Sequence, residues 1–320
     1  MLSMQRQFAA GIAVMAGTGA LAGAVTRHRG RKERARRFAT HTRADGSQVE
    51  YLLHVPEGAR GAVLFDNGLG MPHEYWDWVC RALPEDMAYL RFNRPGYGLT
   101  EPVDSYDLPQ HFALLDELRR DHLGELPLTL VGHSMGGYLL AAYLAFRARA
   151  TEGVQRLVMV DATNVEQLRA KRGEENDQWT RQMLLMEQVY SSLGISLVLT
   201  AMNRQGTFVP DVNRSVRAFM VEPRLWRTAY REYTTALAHP NIDAEAITVP
   251  LDVLTAQDNQ GSNSEHLDAQ AEFLKYAASA RHQVIEGSDH ESLLSFRYHA
   301  ELLARCIADP DFSIEAKVGR

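Results

Sequence analysis

The chain has 320 residues, of which 45% are hydrophobic and 23% are charged, and its formal net charge is −6 at pH 7. This length and composition are typical of a globular protein with one large domain, or two modest ones, around a substantial core. The negative net charge gives no overall attraction to nucleic acid, so no nucleic-acid partner is expected. The two cysteines, Cys80 and Cys306, lack metal-ligand spacing, which favours buried free thiols over a disulfide or a metal site.

The N-terminal 38 residues differ in composition from the rest of the chain. Residues 8–25 carry no charge, and the basic run RHRGRKERARR follows at residues 27–37. An uncharged run of this length approaches the ~20 residues that span a bilayer as a helix, and positive charge after it favours a cytoplasmic position for the following domain. We therefore predict a membrane anchor at residues 8–25. The alternatives are a cleaved signal, with a secreted or periplasmic domain, because Ala22-Gly23-Ala24 resembles a cleavage site, and a disordered tail.

From residue 48 onward, strand-like and helix-like segments alternate. The strand-like segments are short and apolar, and they lie at Val49–Val55, Ala62–Phe65, Ala88–Phe92, Leu128–Val131, Leu157–Val160, Leu251–Thr255 and His282–Ile285. Amphipathic segments predict helices at Tyr75–Leu83, Leu108–His122, Gly137–Arg149, Glu265–Ala278 and Glu291–Ile307. This alternation predicts right-handed βαβ crossovers and an α/β fold with a mostly parallel sheet flanked by helices.

Residues 164–246 interrupt the alternation. They have almost no strand signal and carry apolar residues at helical spacing, and the stretch is too long for a loop. We therefore predict a helical cap at 164–246. The cap is inserted into an α/β core formed by residues 39–163 and 247–320, and residues 1–38 form a separate N-terminal segment.

A single serine marks the place where a predicted strand turns into a predicted helix. Ser134 lies at the centre of Gly132-His133-Ser134-Met135-Gly136, where small neighbours leave room for a strained turn that exposes the serine oxygen. Open α/β sheets bind ligands at that edge, and N–H groups at a helix start face any oxyanion formed there. A serine that merely caps a glycine-rich turn is the alternative. The flanking strand and helix lead us to predict that Ser134 is a nucleophile.

The chain resembles the α/β-hydrolase fold superfamily over residues 49–308. The resemblance lies in VGHSMGG around the serine, FNRPGYGLTEP at residues 92–102, LVMVDAT at residues 157–163 and GSDH at residues 287–290. It is closest to the esterase, lipase and C–C hydrolase-like branch with a helical cap. Asn93 and Thr100 stand where this branch commonly has Asp and Ser. Because those positions support a loop, the departures do not affect the predicted catalytic residues.

The resemblance implies a base and an acid that assist the serine. A serine hydroxyl needs a base to accept its proton, and His290 follows the last predicted strand, where the superfamily carries its base. A solvent-exposed loop histidine is the alternative for His290. In the superfamily the acid lies between nucleophile and base in the chain, usually just after the penultimate strand. The resemblance therefore implies Asp258, at that position, as the acid that orients the histidine. Asp161, just after the strand before the cap, is the rival.

An oxyanion hole needs two N–H donors where negative charge develops. Met135 directly follows the serine and supplies one donor by the geometry of the turn. The resemblance aligns Asn67-Gly68 with a His-Gly pair of the superfamily, which implies that the backbone N–H of the next residue, Leu69, is the second donor. A simple turn at Asn67 is the alternative.

We therefore predict a serine hydrolase that cleaves a carboxylic ester, apolar or lipid-like, which enters beneath the cap. No cofactor or metal is expected, because no Cys, His and acidic cluster has ligand spacing and Gly96–Gly98 lacks the phosphate-binding motifs. The same fold could serve C–C, thioester or amide hydrolysis, or cofactor-free perhydrolysis. A non-catalytic binding protein of this fold is the alternative from another class.

Overall fold

The structure is a computed structural model, and it describes residues 2–103, 105–147, 151–170, 174–202, 208–257 and 263–314. A sheet of eight strands in the order β1-β2-β4-β3-β5-β6-β7-β8 forms its centre. The strands are β1 (Ala39–Thr42), β2 (Gln48–His54), β3 (Gly61–Asp66), β4 (Met87–Phe92), β5 (Leu128–His133), β6 (Val154–Val160), β7 (Leu251–Ala256) and β8 (Ala280–Ile285). Only β1–β2 and β2–β4 pair antiparallel, so the predicted mostly parallel α/β sheet is confirmed.

Helices cover both faces of the sheet. Those of the core are α2 (Asp77–Ala82), α3 (Leu108–Leu118), α4 (Met135–Phe146), α10 (Asn263–Ala271), α11 (Ser292–Ser295) and α12 (Arg297–Ala308). Alternate residues of β3 belong to two buried apolar clusters, with Leu64 in the cluster that includes α3 and α4 and Phe65 in the one that includes α12. Because successive strand residues face opposite sides, the two clusters lie on opposite faces of the sheet.

Five helices lie between β6 and β7. They are α5 (Val165–Arg169), α6 (Glu174–Leu193), α7 (Ile195–Met202), α8 (Pro210–Met220) and α9 (Pro223–Ala238). No strand occurs among the described residues of 164–246. Helix α9 buries Leu225, Trp226 and Ala229, so apolar burial holds it against the rest of the molecule. The boundaries of a separate cap domain stay a prediction.

The segment predicted as a membrane anchor belongs to a helix, α1 (Leu2–Arg37). Within the described part of the chain, no helix is long and apolar enough to cross a bilayer. The predicted anchor at residues 8–25, and with it the membrane-anchored location, is therefore wrong. The physical reason is that Ala and Gly make up most of the uncharged run, and they lack the large apolar side chains that drive insertion.

The basic run after this segment binds acidic groups of the same chain. Arg31 donates from two guanidinium nitrogens to the Glu222 carboxylate, at 2.7 and 2.8 Å. Arg34 is buried and pairs with both Glu50, on β2, and Glu74. Its Nη1 also donates to Ser215 Oγ of α8 at 3.0 Å. The end of α1 therefore contacts both the helices after β6 and the residues around the sheet.

Candidate active site

Ser134 lies in a strained turn between β5 and α4. Its φ of 52° and ψ of −121° lie in a region that residues with a side chain rarely adopt. A Cβ atom on Gly132 would lie 2.5 Å from backbone atoms of Gly136, so the chain closes around the serine only with a glycine there. This is the local geometry that the sequence motif predicts.

The loop after β3 packs directly against this turn. A Cβ atom on Gly136 would lie 2.5 Å from the carbonyl oxygen of Asp66 and 2.6 Å from that of Asn67. Met135 is the first residue of α4, where backbone N–H groups have no partner within the helix. Leu69 follows in the same loop. The segments that carry the two predicted oxyanion donors are therefore neighbours, and their roles stay predictions.

His290 follows β8 and bonds to a carboxylate that follows β6. Its Nδ1 lies 2.5 Å from Asp161 Oδ2. The other oxygen, Oδ1, accepts a hydrogen bond from Ala256 N at 3.0 Å. Asp161 is buried and has a φ of 43°, so it is a second strained residue at this edge of the sheet.

The hydrogen bonds decide the charges of this pair. Burial opposes ionisation of Asp161, but hydrogen bonds from His266 and His290 outweigh it and hold the pKa of the Asp161 carboxyl well below its usual range. Burial likewise opposes protonation of His290, but the Asp161 carboxylate outweighs it and raises the pKa of the imidazole. Asp161 is therefore an anion that stabilises a proton on His290.

The predicted acid, Asp258, lies outside the described residues. The carboxylate that binds His290 Nδ1 is that of Asp161, which the sequence offered as the alternative acid. Strand β6 pairs with β5 on one side and with β7 on the other. Its C-terminal end therefore reaches the same edge as the serine turn, and chain order alone does not separate the two aspartates.

A second imidazole also binds Asp161, and sequence reasoning missed it. His266 Nε2, from α10, lies 2.8 Å from Asp161 Oδ1. The two residues are 105 positions apart, so no local motif signals the contact. The Asp161 carboxylate thus binds His290 through one oxygen and His266 through the other.

The third histidine of this cluster, His133, supports His290 from beneath. Its Nε2 lies 3.0 Å from the backbone carbonyl of His290. Burial, followed by the charge of His290, lowers the pKa of His133 to about 3. A neutral ring that donates to this carbonyl holds the His290 loop and is no candidate for the base.

Ser134 and His290 line one cavity of about 820 Å³. Ser134 Oγ lies 3.3 Å from Thr163 Oγ1, and the described residues show no hydrogen bond between Ser134 and His290. Catalytic hydrogen bonds are often long without substrate and shorten when it binds. The remaining wall is mixed: Leu168 and Trp179 are apolar, but polar side chains predominate, with Asn164, Gln167, Asn176, Thr180, His266 and Gln270. This wall does not support the predicted lipid-like substrate.

One cluster among the described residues has the geometry for a metal ion. Ligand atoms of Glu50, His73 and Glu74 lie within 4.8 Å of one another, and all three residues are buried. The Arg34 guanidinium already pairs with both carboxylates. Since Arg34 supplies the positive charge that these carboxylates require, the cluster does not need a metal ion to be stable.

The sequence of this chain matches a known family, and its fold matches known structures. Residues 63–305 match the sequence profile of the Alpha/beta hydrolase family, which is well over half of the chain. The chain belongs to the alpha/beta hydrolase family. Solved structures of this fold superpose on more than four-fifths of the chain. A search of curated proteins found no match to its sequence.

Three similar structures illustrate the range within the fold. A bromoperoxidase from Bacillus anthracis has a TM-score of 0.64 at 18% identity, over 83% of this chain and 98% of its own. An enol-lactonase from Burkholderia xenovorans LB400 has a TM-score of 0.61 at 18% identity, over 84% and 98%. A thermophilic esterase from Thermogutta terrifontis has a TM-score of 0.59 at 17% identity, over 84% and 96%. At such identities the likeness shows the fold alone.

Proposed function

We propose that this chain is a serine hydrolase that cleaves carboxylic esters through an acyl-enzyme, with Ser134 as nucleophile, His290 as base and Asp161 as acid. The observation that carries the proposal is the His290–Asp161 hydrogen bond on the cavity that also contains the strained Ser134. A nucleophile, a base within reach and a group that orients the base are the parts that covalent catalysis needs. Two of the similar structures, an esterase and an enol-lactonase, are named for ester bonds, which agrees with this choice.

The hydrogen bond to Asp161 decides which ring nitrogen acts. Because Asp161 binds Nδ1 of His290, Nε2 remains free to accept the proton of Ser134. The serine oxygen attacks the carbonyl carbon of the ester, and the oxyanion accepts hydrogen bonds from the N–H groups of Leu69 and Met135. His290 then protonates the departing alcohol. Water, deprotonated by His290, attacks the acyl-enzyme and releases the carboxylic acid and the serine.

The cavity wall favours substrates with polar groups. Gln167, Asn176 and Thr180 offer hydrogen-bond donors and acceptors on the side of the helices after β6. A substrate with a short or hydroxylated acyl part can pair with these groups. A long alkyl chain leaves them without partners, which disfavours its binding.

The test is a series of p-nitrophenyl esters of increasing acyl length, measured on the full chain and on Ser134→Ala. We expect hydrolysis by the unaltered chain, with short acyl groups preferred, and a loss of at least about 10⁴-fold in Ser134→Ala. Ser196→Ala, which removes a buried hydroxyl in α7, is the matched control and should retain the rate. No turnover of any ester, or full turnover by Ser134→Ala, would refute the proposal.

A further inference from the structure

A buried arginine holds the loop that carries the proposed second oxyanion donor. Arg94 is completely buried, and its Nη1 donates to the carbonyl oxygen of Asn67 at 2.5 Å. Its Nη2 donates to the carbonyl oxygen of Gly68 at 2.9 Å. That carbonyl and the N–H of Leu69 belong to one planar trans peptide unit, so they point in opposite directions. By fixing the Gly68 carbonyl, Arg94 also fixes the direction of the Leu69 N–H.

The arginine is itself held between two buried carboxylates from different parts of the fold. Its Nη1 lies 2.5 Å from Asp66 Oδ1, at the end of β3. Its Nε forms an ion pair with Glu232 of α9, and both side chains are fully buried. A buried guanidinium stays charged and keeps a fixed fork geometry, so its two carboxylate partners determine where it lies. One of these partners belongs to the helices between β6 and β7.

The same glutamate also reaches the far end of the loop. Tyr97 donates its hydroxyl proton to Glu232 Oε2 at 2.6 Å and accepts the Gly70 N–H at 3.0 Å. The residue at position 69 therefore lies between two anchored peptides, and both anchors lead to Glu232. Helix α9 also packs directly on the loop, since a Cβ atom on Gly70 would lie 3.0 Å from the ring of Trp226.

We propose that Arg94, Tyr97 and Glu232 are positioning residues that make the oxyanion hole depend on the seating of helix α9 against the core. The inference rests on the proposed function, because it presumes that the Leu69 N–H binds a developing oxyanion. It adds that the helices between β6 and β7 act on the reaction itself as well as enclosing the substrate. A donor aimed at the oxyanion acts mainly in the transition state, so its loss lowers kcat more than it raises KM.

The first test removes one oxygen atom from this network. Tyr97→Phe should lower kcat by about tenfold with little change in KM, since a misaimed oxyanion donor costs less than the 10²–10³-fold of a deleted one. It should weaken inhibition by a trifluoromethyl ketone to a similar extent. The serine oxygen adds to such a ketone, its proton passes to His290, and the resulting oxyanion mimics the transition state.

Tyr106→Phe is the matched control. The Tyr106 side chain is buried, its ring centre lies 6.3 Å from that of His111, which binds Asp66, and its hydroxyl has no hydrogen-bond partner among the described residues. The substitution therefore deletes the same atom without touching the loop, and kcat and inhibitor affinity should stay unchanged. A general effect of losing a buried tyrosine hydroxyl would appear in both variants.

The second test is Glu232→Gln, which keeps the shape of the side chain and removes its charge. We expect kcat to fall by about 10–100-fold, again with KM nearly constant. If this variant does not fold, as judged by circular dichroism, Tyr97→Phe alone decides. Unaltered kcat and inhibitor affinity in Tyr97→Phe would overturn the inference while the Ser134-dependent activity stands. Absence of that activity in the unaltered chain would instead refute the proposed function.

Discussion

Two buried aspartates lie at the C-terminal ends of β3 and β6, the two strands that flank β5, and they differ in the partners that they bind. Asp66, at the end of β3, pairs with the permanent cation of Arg94 and with His111 Nε2 at 2.9 Å. Asp161, just after β6, binds the imidazoles of His290 and His266. An arginine remains charged at every accessible pH, whereas an imidazole gains and loses its proton near neutrality.

This difference in partners suits Asp66 to a structural role and Asp161 to proton transfer. The Asp66 centre is closed to the cavity and fixes a backbone loop, so a constant charge serves it. The Asp161 centre borders the cavity with Ser134, so the proton on its partner can change during a reaction. The following experiments test these two centres, by substitution or by a change of pH.

The largest expected effect belongs to the carboxylate of the Asp161 centre. Asp161→Asn should lower kcat on an ester by about 10⁴-fold, because an amide favours the wrong tautomer of His290. Asp258→Asn is the matched substitution at the position that sequence reasoning preferred, and we expect nearly full activity from it. Intact turnover in Asp161→Asn together with lost turnover in Asp258→Asn would assign the acid to Asp258.

In the Asp66 centre, removal of the cation should act on stability as well as on rate. Arg94→Met leaves Asp66 and Glu232 buried without their shared partner, which should reduce the free energy of unfolding by about 3–5 kcal/mol. Urea denaturation of Arg94→Met and Arg81→Met measures the difference. Arg81 is 56% exposed beside Asp77, so its loss should cost about 1 kcal/mol or less. Equal losses in the two variants would contradict the structural role of Arg94.

A smaller effect is expected from the second imidazole on Asp161. His266→Leu removes the donor to Oδ1 and should lower kcat by about three- to tenfold, since Asp161 is then oriented by fewer bonds. The unshared carboxylate should also raise the pKa of His290, which moves the acid limb of the rate profile to higher pH. His266→Gln, which can still donate, should restore most of the rate. A pH profile unchanged in His266→Leu would limit His266 to packing.

The smallest effect is the pH dependence of the unaltered chain. His290 must be neutral to accept a proton, and Asp161 raises the pKa of its imidazole. The kcat/KM should therefore rise with pH through a midpoint above the usual value of about 6.5. The titratable groups around this ring are Asp161, His133, Asp289 and Glu291, and His266 binds the other oxygen of Asp161. A midpoint below 6.5 would contradict the stabilising role of Asp161.

The same pKa shifts predict opposite trends in stability. Folding lowers the pKa of Asp161, so its carboxylate contributes to the free energy of unfolding at pH values above the unfolded pKa of about 3.9. This contribution is lost as the pH falls through the pKa of the folded state. Folding raises the pKa of His290, so its imidazolium contributes to the free energy of unfolding at pH values below the unfolded pKa of about 6.5. This contribution is lost as the pH rises through the pKa of the folded state. Urea denaturation across pH tests both signs.

Local features of the site could be predicted from the sequence because they depend on neighbouring residues. The strained turn at Ser134 needs glycines two positions away, and a five-residue motif contains that information. All seven predicted strands exist, and central ones such as β3 and β7 could be predicted because burial on both faces leaves apolar runs. Strand β1 escaped prediction because its four residues, ATHT, are mostly exposed and lack such a run.

Long-range contacts could not be predicted in this way. The partner of His290 depends on which of two strand ends lies closer in space, and the contact of His266 with Asp161 spans 105 residues. The N-terminal arginines looked like membrane-proximal charge, yet Arg34 pairs with Glu50 and Glu74 inside the fold. A basic run has the same composition whether it contacts lipid or acidic side chains of its own chain.

Labelling of the intact chain with a fluorophosphonate, followed by mass spectrometry of its peptides, tests directly whether His290 activates Ser134. The probe reacts with a serine oxygen only when a neighbouring base activates it. We expect one label, on Ser134, which is lost in His290→Gln and retained in His282→Gln. No label on folded protein, or a label on Ser134 that persists in His290→Gln, would contradict this activation.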